Sequence, residues 1–113
     1  VVCDVGPIVN LSGAESQCQG SVIDGLSAML DQKLDYRNGR VVQTNFDRYR
    51  LLRMGLDPRI DVHFIESDFA PSGLGEPALP PVAPAICNAV FSASGRRIRR
   101  LPISAEGYRF TKG

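Results

Sequence analysis

Between Pro71 and Pro84 the chain reads Pro-Ser-Gly-Leu-Gly-Glu-Pro-Ala-Leu-Pro-Pro-Val-Ala-Pro, and five of its eight prolines fall in that stretch. Proline fixes φ and stiffens the adjoining backbone, while Gly73 and Gly75 allow φ > 0 and a close approach of backbone to a ligand. A single carboxylate, Glu76, stands between the two glycines and Pro77. The apolar run that begins at Val82 contains Pro84, which a helix tolerates only in its first turn. The stretch therefore predicts a tight loop with one acid, a rigid exit and a helix N-terminus close by. On residue chemistry alone a lone glutamate in such a loop reads first as a solvated surface residue.

Upstream, Val1 to Val5 is a short β-branched run stopped by Gly6-Pro7, as expected of a buried strand. Ser12 and Glu15 have the spacing of a capping box, which predicts a helix start at that point. Val22, Leu26, Met29 and Leu30 continue it as one apolar stripe. Gly20 and Gly25 interrupt this helix at about 1 kcal/mol each relative to Ala, a cost that points to close packing against the backbone by another element or by a ligand. Asn38-Gly39 predicts a type I′ turn between two short strands, with Leu34 and Tyr36 before it and Val42 after it. Residues 47–59 have no period and read as a loop. Ile60 to Glu66 alternates, with Ile60, Val62 and Phe64 on one face of a strand.

After the proline stretch, Val82, Ile86, Ala89, Val90 and Ala93 define the apolar face of a second helix, which Gly95 ends. The order strand, helix, hairpin, strand, helix predicts an α+β fold, a mostly antiparallel sheet with two main helices on one face. It divides into 1–70 (strand, helix, hairpin, strand), 71–84 (the Gly/Pro loop) and 85–113 (helix and basic tail).

Composition excludes more than it assigns. The 113 residues form at most one domain, and a net charge of +1 creates no field for steering toward nucleic acid or membrane. No apolar run approaches the ~20 residues of a membrane helix, and no charged-then-apolar leader is visible. The chain opens Val-Val-Cys-Asp-Val-Gly, without Met and already strand-like, as expected of a piece of a longer polypeptide. Cys3, Cys18 and Cys87 are odd in number and far apart in sequence. They predict neither a disulfide framework nor a zinc or iron–sulfur site, and Cys87, among apolar neighbours, reads as a buried free thiol.

His63 is the sole histidine and falls on the polar side of its strand, where a solvated ring is expected. Arg96, Arg97, Arg99 and Arg100 lack interleaved aromatics and a docking motif, so they read as packing or subunit-contact residues. Gly73-Leu74-Gly75 lacks dinucleotide-fingerprint spacing. Asp4 and Glu15 are explained as strand-end and capping residues. Gln17 lies early on the Gly-interrupted helix, where its amide offers two donors and an acceptor to whatever packs against Gly20.

Several segments together carry a resemblance. Gly-Leu-Gly-Glu-Pro-Ala-Leu-Pro-Pro-Val-Ala-Pro-Ala-Ile-Cys-Asn-Ala-Val-Phe, followed by Ser-Gly-Arg-Arg-Ile-Arg-Arg-Leu-Pro, resembles the C-terminal end of the molybdopterin-binding large subunit of molybdenum hydroxylases. This is the xanthine dehydrogenase/aldehyde oxidase family, here of the isoquinoline 1-oxidoreductase β-subunit type. Cys-Asp-Val-Gly, Gln-Cys-Gln-Gly-Ser-Val-Ile-Asp-Gly-Leu and Asn-Phe-Asp-Arg-Tyr-Arg-Leu-Leu-Arg-Met agree with it, so the likeness runs from Val1 to about Ile103.

The resemblance implies that Glu76 is the general base beside the molybdenum, and that Gln17, Gly20 and Gly75 border the pterin. No side chain here would ligate the metal, which the pterin dithiolene holds. The implied reaction hydroxylates an aldehyde or an N-heterocyclic carbon with oxygen derived from water. The implied cofactor is molybdopterin with molybdenum, in the cytosine dinucleotide form. The implied partners are the rest of the large subunit and a small [2Fe–2S] subunit, and this piece alone is expected to be inactive. A bacterial protein is implied, with a periplasmic location favoured over a cytoplasmic one. The sequence departs from the family pattern in having Val5 where Cys is common and Leu11 where Pro is common, and Gln19 stands at a variable position. The competing reading is a non-catalytic α+β domain that binds a partner or serves as a structural element.

Overall fold

The computed structural model describes residues 1–109 and 111. Helix α1 spans Leu11–Asp31 and helix α2 spans Val82–Ser94. The strands are two residues each: β1 Val2–Cys3, β2 Tyr36–Arg37, β3 Arg40–Val41 and β4 His63–Phe64. A 3₁₀ turn covers Ile103–Glu106.

The α+β class expected from the element order is the class found, but the strands are arranged differently. Instead of one mostly antiparallel sheet there are two separate pairs, β1 with β4 and β2 with β3. The first is parallel, with Val2 opposite His63 and Cys3 opposite Phe64. A parallel pair needs a long crossover, and α1 with the hairpin provides it. The second is the local hairpin, with Tyr36 opposite Val41 and Arg37 opposite Arg40. Its turn has Asn38 at φ 52° and Gly39 at φ 72°, the doubly left-handed geometry of a type I′ turn. The alternation at 60–66 persists beyond the ladder: Ile60, Val62 and Phe64 are half-buried while Asp61, His63 and Ile65 are exposed.

Helix α1 is capped by Asn10, not by a Ser12–Glu15 box. Asn10 Oδ1 accepts from the Gly13 backbone N–H at 2.9 Å, and the Ser12 hydroxyl donates to the same oxygen at 3.1 Å. Asn and Ser are equally good caps, and starting at Leu11 lets the earlier residue do the capping. The start of α2 at Val82 puts Pro84 in its first turn and takes the last three residues of the 71–84 stretch into the helix. Gly95, at φ 69°, ends the helix by donating to Phe91 O at 2.8 Å.

The helices pack chiefly on each other and on the 3₁₀ turn, not on a sheet face. Leu26, Met29, Leu30, Val82 and Ile103 form the buried cluster, with Val22, Leu52, Ile86 and Cys87 against its edge. Only the start of the predicted α2 face is deep inside: Val82 is buried, Ile86 and Val90 are half-buried, and Ala89 and Ala93 are exposed. Ser27, buried on α1, accepts from the Leu52 backbone N–H and from Gln32 Nε2, both at 2.9 Å. Tyr49 donates to Gln32 Oε1 at 2.9 Å, so the 47–52 loop is hung on α1 by a polar chain.

Candidate functional site

Two glycines of α1 look alike in the sequence and differ in space. A Cβ on Gly25 would lie 2.9 Å from Val82 Cβ, so this glycine exists to let the N-terminus of α2 approach α1. A Cβ on Gly20 would meet nothing within 4 Å. Gly20 is exposed, and so is Gln17 one turn before it. Together they leave a strip of bare helix backbone beside an amide that can donate and accept.

The 71–81 loop is brought to this part of α1. At its start the Ser72 N–H donates to Val5 O at 3.1 Å, joining it to the strand end. In its middle the buried Ser21 hydroxyl donates to Gly75 O at 3.4 Å, spanning 54 residues of sequence. At its end the Leu79 N–H donates to Glu76 O at 3.0 Å and the Val82 N–H to Leu79 O at 3.1 Å, turns that lead directly into α2. Ala78, 3% exposed, and Val82 anchor the exit in the core. Glu76 thus sits on a loop fixed at both ends, next to a residue bonded to Ser21, which follows Gly20 and lies one turn beyond Gln17. Ser21 escaped sequence reasoning, although its i+4 spacing from Gln17 puts it on the same helix face.

The Glu76 carboxylate is exposed, as are Gly73 and Gly75, and a Cβ on either glycine would meet nothing within 4 Å. Three cavities of about 510–580 Å³ lie elsewhere and none is lined by Gln17, Gly20, Gly75 or Glu76. The arrangement is an open shelf of one helix face and one loop edge, with Glu76 the residue that follows the tethered Gly75. Such a shelf fits a flat group laid against α1, since Gly20 offers no side chain to obstruct it and Gln17 offers polar atoms. Among the described residues no group of three or more His, Cys, Asp or Glu is placed to hold a metal ion.

The remaining candidates sit apart from the shelf. His63 is exposed on β4, the polar side expected for it. Arg97 stacks its guanidinium 3.6 Å from the Phe91 ring centroid and donates to Asn88 Oδ1 at 3.3 Å, a packing role on α2. Cys87 is half-buried against the core rather than fully enclosed, because α2 covers the core only along its first turns. Cys3 and Cys18, distant in sequence, have their sulfurs 3.8 Å apart.

Comparison with known proteins places these residues in a family. The molybdopterin cofactor-binding domain family matches residues 1–56, which include Gln17 and Gly20. The membrane-bound aldehyde dehydrogenase [pyrroloquinoline-quinone] of Gluconacetobacter polyoxogenes is 39% identical over 103 residues, covering 91% of this chain and 13% of that protein. Isoquinoline 1-oxidoreductase subunit beta of Brevundimonas diminuta is 35% identical over 100 residues, covering 88% of this chain and 13% of that protein. Among solved structures, the Cu,Mo-CO dehydrogenase in its carbon monoxide reduced state superposes with a TM-score of 0.76 at 20% identity, over 89% of this chain and 14% of that one. The last likeness is one of fold. The chain therefore spans about an eighth of the length of these relatives. Both relatives align along the loop as well as along α1, and the chain belongs to the molybdopterin-binding large-subunit family of the molybdenum hydroxylases, the xanthine dehydrogenase/aldehyde oxidase family.

Proposed function

We propose that this chain is the part of a molybdenum hydroxylase that supplies the general base, Glu76, and one wall of the pterin site through Gln17, Gly20 and Gly75. The observation that carries the reading is the Ser21–Gly75 hydrogen bond, which tethers the Gly-Leu-Gly-Glu-Pro loop to the α1 turn bearing the open glycine. When bound, the molybdenum cofactor supplies the two-electron redox chemistry by which an aldehyde or N-heterocyclic carbon gains oxygen derived from water. Gln17, exposed on α1, would offer its amide donors and acceptor to the pterin. Gly20 leaves the helix backbone free for its approach. Glu76 takes the proton from the water-derived nucleophile, which requires its carboxylate within hydrogen-bond reach of that proton. Its exposure in this chain fits a site whose further walls the rest of the large subunit would add, closing the carboxylate off from water. The partner expected on this reading is a small [2Fe–2S] subunit, and the cofactor form expected is the cytosine dinucleotide, which acid hydrolysis of the full-length protein would release as cytidine monophosphate.

The test is Glu76→Gln in the full-length protein, an isosteric change that removes only the ionisable group. Molybdenum content and single-turnover reduction by a panel of aldehydes and N-heterocycles are measured beside the wild type. Unchanged molybdenum with reduction slowed at least about a hundredfold is expected for loss of a general base. Unchanged reduction removes Glu76 from that role. Wild-type protein without molybdenum would leave the non-catalytic α+β reading, or another cofactor such as the quinone that the Gluconacetobacter relative's name carries.

A further inference from the structure

Cys3 and Cys18 face each other across the junction of β1 and α1. The backbone of Cys3 is fixed in the parallel ladder opposite Phe64, where its carbonyl accepts from the Ile65 N–H at 2.9 Å. Cys18 lies inside α1 and is wholly buried, at 0% exposure, whereas Cys3 is half-buried. Both are free thiols, and their sulfurs touch at 3.8 Å in a weak S–H···S contact. A disulfide holds its sulfurs at about 2.05 Å, so bond formation asks for roughly 1.8 Å of sulfur travel. Each thiol has the other as its side-chain partner.

We infer that Cys3 and Cys18 are a modification site, forming an intrachain disulfide when the protein meets a two-electron oxidant such as hydrogen peroxide. Cys3, the half-buried member, is the one peroxide reaches. Its thiolate attacks one peroxide oxygen, the O–O bond breaks, and the products are a sulfenic acid at Cys3 and hydroxide, which leaves as water with the thiol proton. The Cys18 sulfur then attacks the sulfenic sulfur, the S–O bond breaks, and a second water departs with the Cys18 proton. In sum two thiols lose two electrons and two protons, and one peroxide becomes two waters.

The Cys18 thiol is pushed up to about 11, first by burial and then by the hydrogen bond and charge of Cys3. The charge contribution of Cys3 is absent once Cys3 is a neutral sulfenic acid, while burial still holds Cys18 as the thiol whose proton leaves with the second water. The bond would tie the end of β1 to α1 immediately beside Gln17.

The experiment uses the full-length protein with its cofactor. It is treated with a few equivalents of hydrogen peroxide, denatured in an alkylating agent, digested and analysed by mass spectrometry. The expected result is a linked Cys3–Cys18 peptide two hydrogens lighter than the reduced pair, abolished by dithiothreitol, with Cys87 alkylated as the internal control. Cys3→Ser should remove the link and leave Cys18 alkylated. Alkylation of both Cys3 and Cys18 after peroxide, sulfinic acid at Cys3 with no link, or either sulfur bonded to a different cysteine would each overturn the inference.

Discussion

The thiol of Cys18 couples residue chemistry to stability. Burial, then the hydrogen bond and charge of Cys3, carry its pKa from 9.0 to about 11, against a smaller opposing pull from the amino terminus. The unfolded chain releases this proton near pH 9, while the folded chain keeps it to higher pH. Between those values the folded state binds more protons, so stability falls as pH rises. The contribution of the neutral thiol is whole below pH 9 and is lost as pH passes toward 11. Two pK units bound the effect at about 3 kcal/mol. Denaturant unfolding of the full-length protein from pH 8 upward should show this decline, and Cys18→Ala should flatten it. An equally steep decline in the variant would assign the slope to other groups. The loop that carries Glu76 was legible in the sequence because glycines and prolines mark it off. Ser21 and Ser27 were not, since a helical serine acquires a role only from the backbone group that another segment brings to it.

Gly20 and Gly25, both interior to helix α1, are treated identically by intrinsic propensity. Their surroundings predict opposite outcomes for the same substitution. Gly25→Ala puts a methyl 2.9 Å from Val82 Cβ, within the helix contact that seats α2. Overpacking of that kind costs about 1–3 kcal/mol, so a lower unfolding midpoint is expected. Gly20→Ala meets open space and improves helix propensity by up to about 1 kcal/mol, so the midpoint should hold or rise. On the proposed function the same methyl obstructs the pterin, and molybdenum content should drop. A stable Gly20→Ala protein with full molybdenum would remove Gly20 from the cofactor wall. The loop and α2 obey the same logic at their own scale: Ala78 and Val82 seat the loop exit in the core, and the Ser21–Gly75 bond holds the glycine pair in place.

As a whole, the chain is too open to be explained by its own core. It exposes 8496 Å², against roughly 6,100 Å² for a compact monomer of its mass. Its radius of gyration is 16.5 Å, where about 13 Å is usual for this length. Val9 at 102% and Met54 at 99% are fully exposed, and Phe69, Phe46 and Leu11 are more than half so. Apolar surface gathered into a contiguous patch marks a site of interaction, and it is the low compactness of the chain that leaves these side chains in water. The 113-residue segment produced alone is therefore expected to bind an apolar-surface dye and to unfold with little cooperativity, in contrast to the full-length protein. A sharp transition without dye binding would show that the cluster around Leu26, Met29 and Val82 suffices. The same openness accounts for the exposure of Glu76; on the proposed function the rest of the large subunit would turn the shelf into a cleft.

Local conformational chemistry was readable residue by residue. Asn38-Gly39 dictates a left-handed turn, Gly95 ends α2, Pro84 forces a first helical turn, and alternation marks the half-buried face of 60–66. In each case the backbone preference of a few neighbours decides the outcome. Family membership was readable too, because the Gly-x-Gly-Glu-Pro loop and the Gln-Cys-Gln-Gly helix keep their order along the chain. Which segments meet was another matter. The parallel pairing of β1 with β4, the contact of Cys3 with Cys18, the packing of Gly25 against Val82 and the tether from Ser21 to Gly75 each join residues far apart in sequence. Such contacts depend on how whole elements fill space around a shared core, and that is a property of tertiary packing alone.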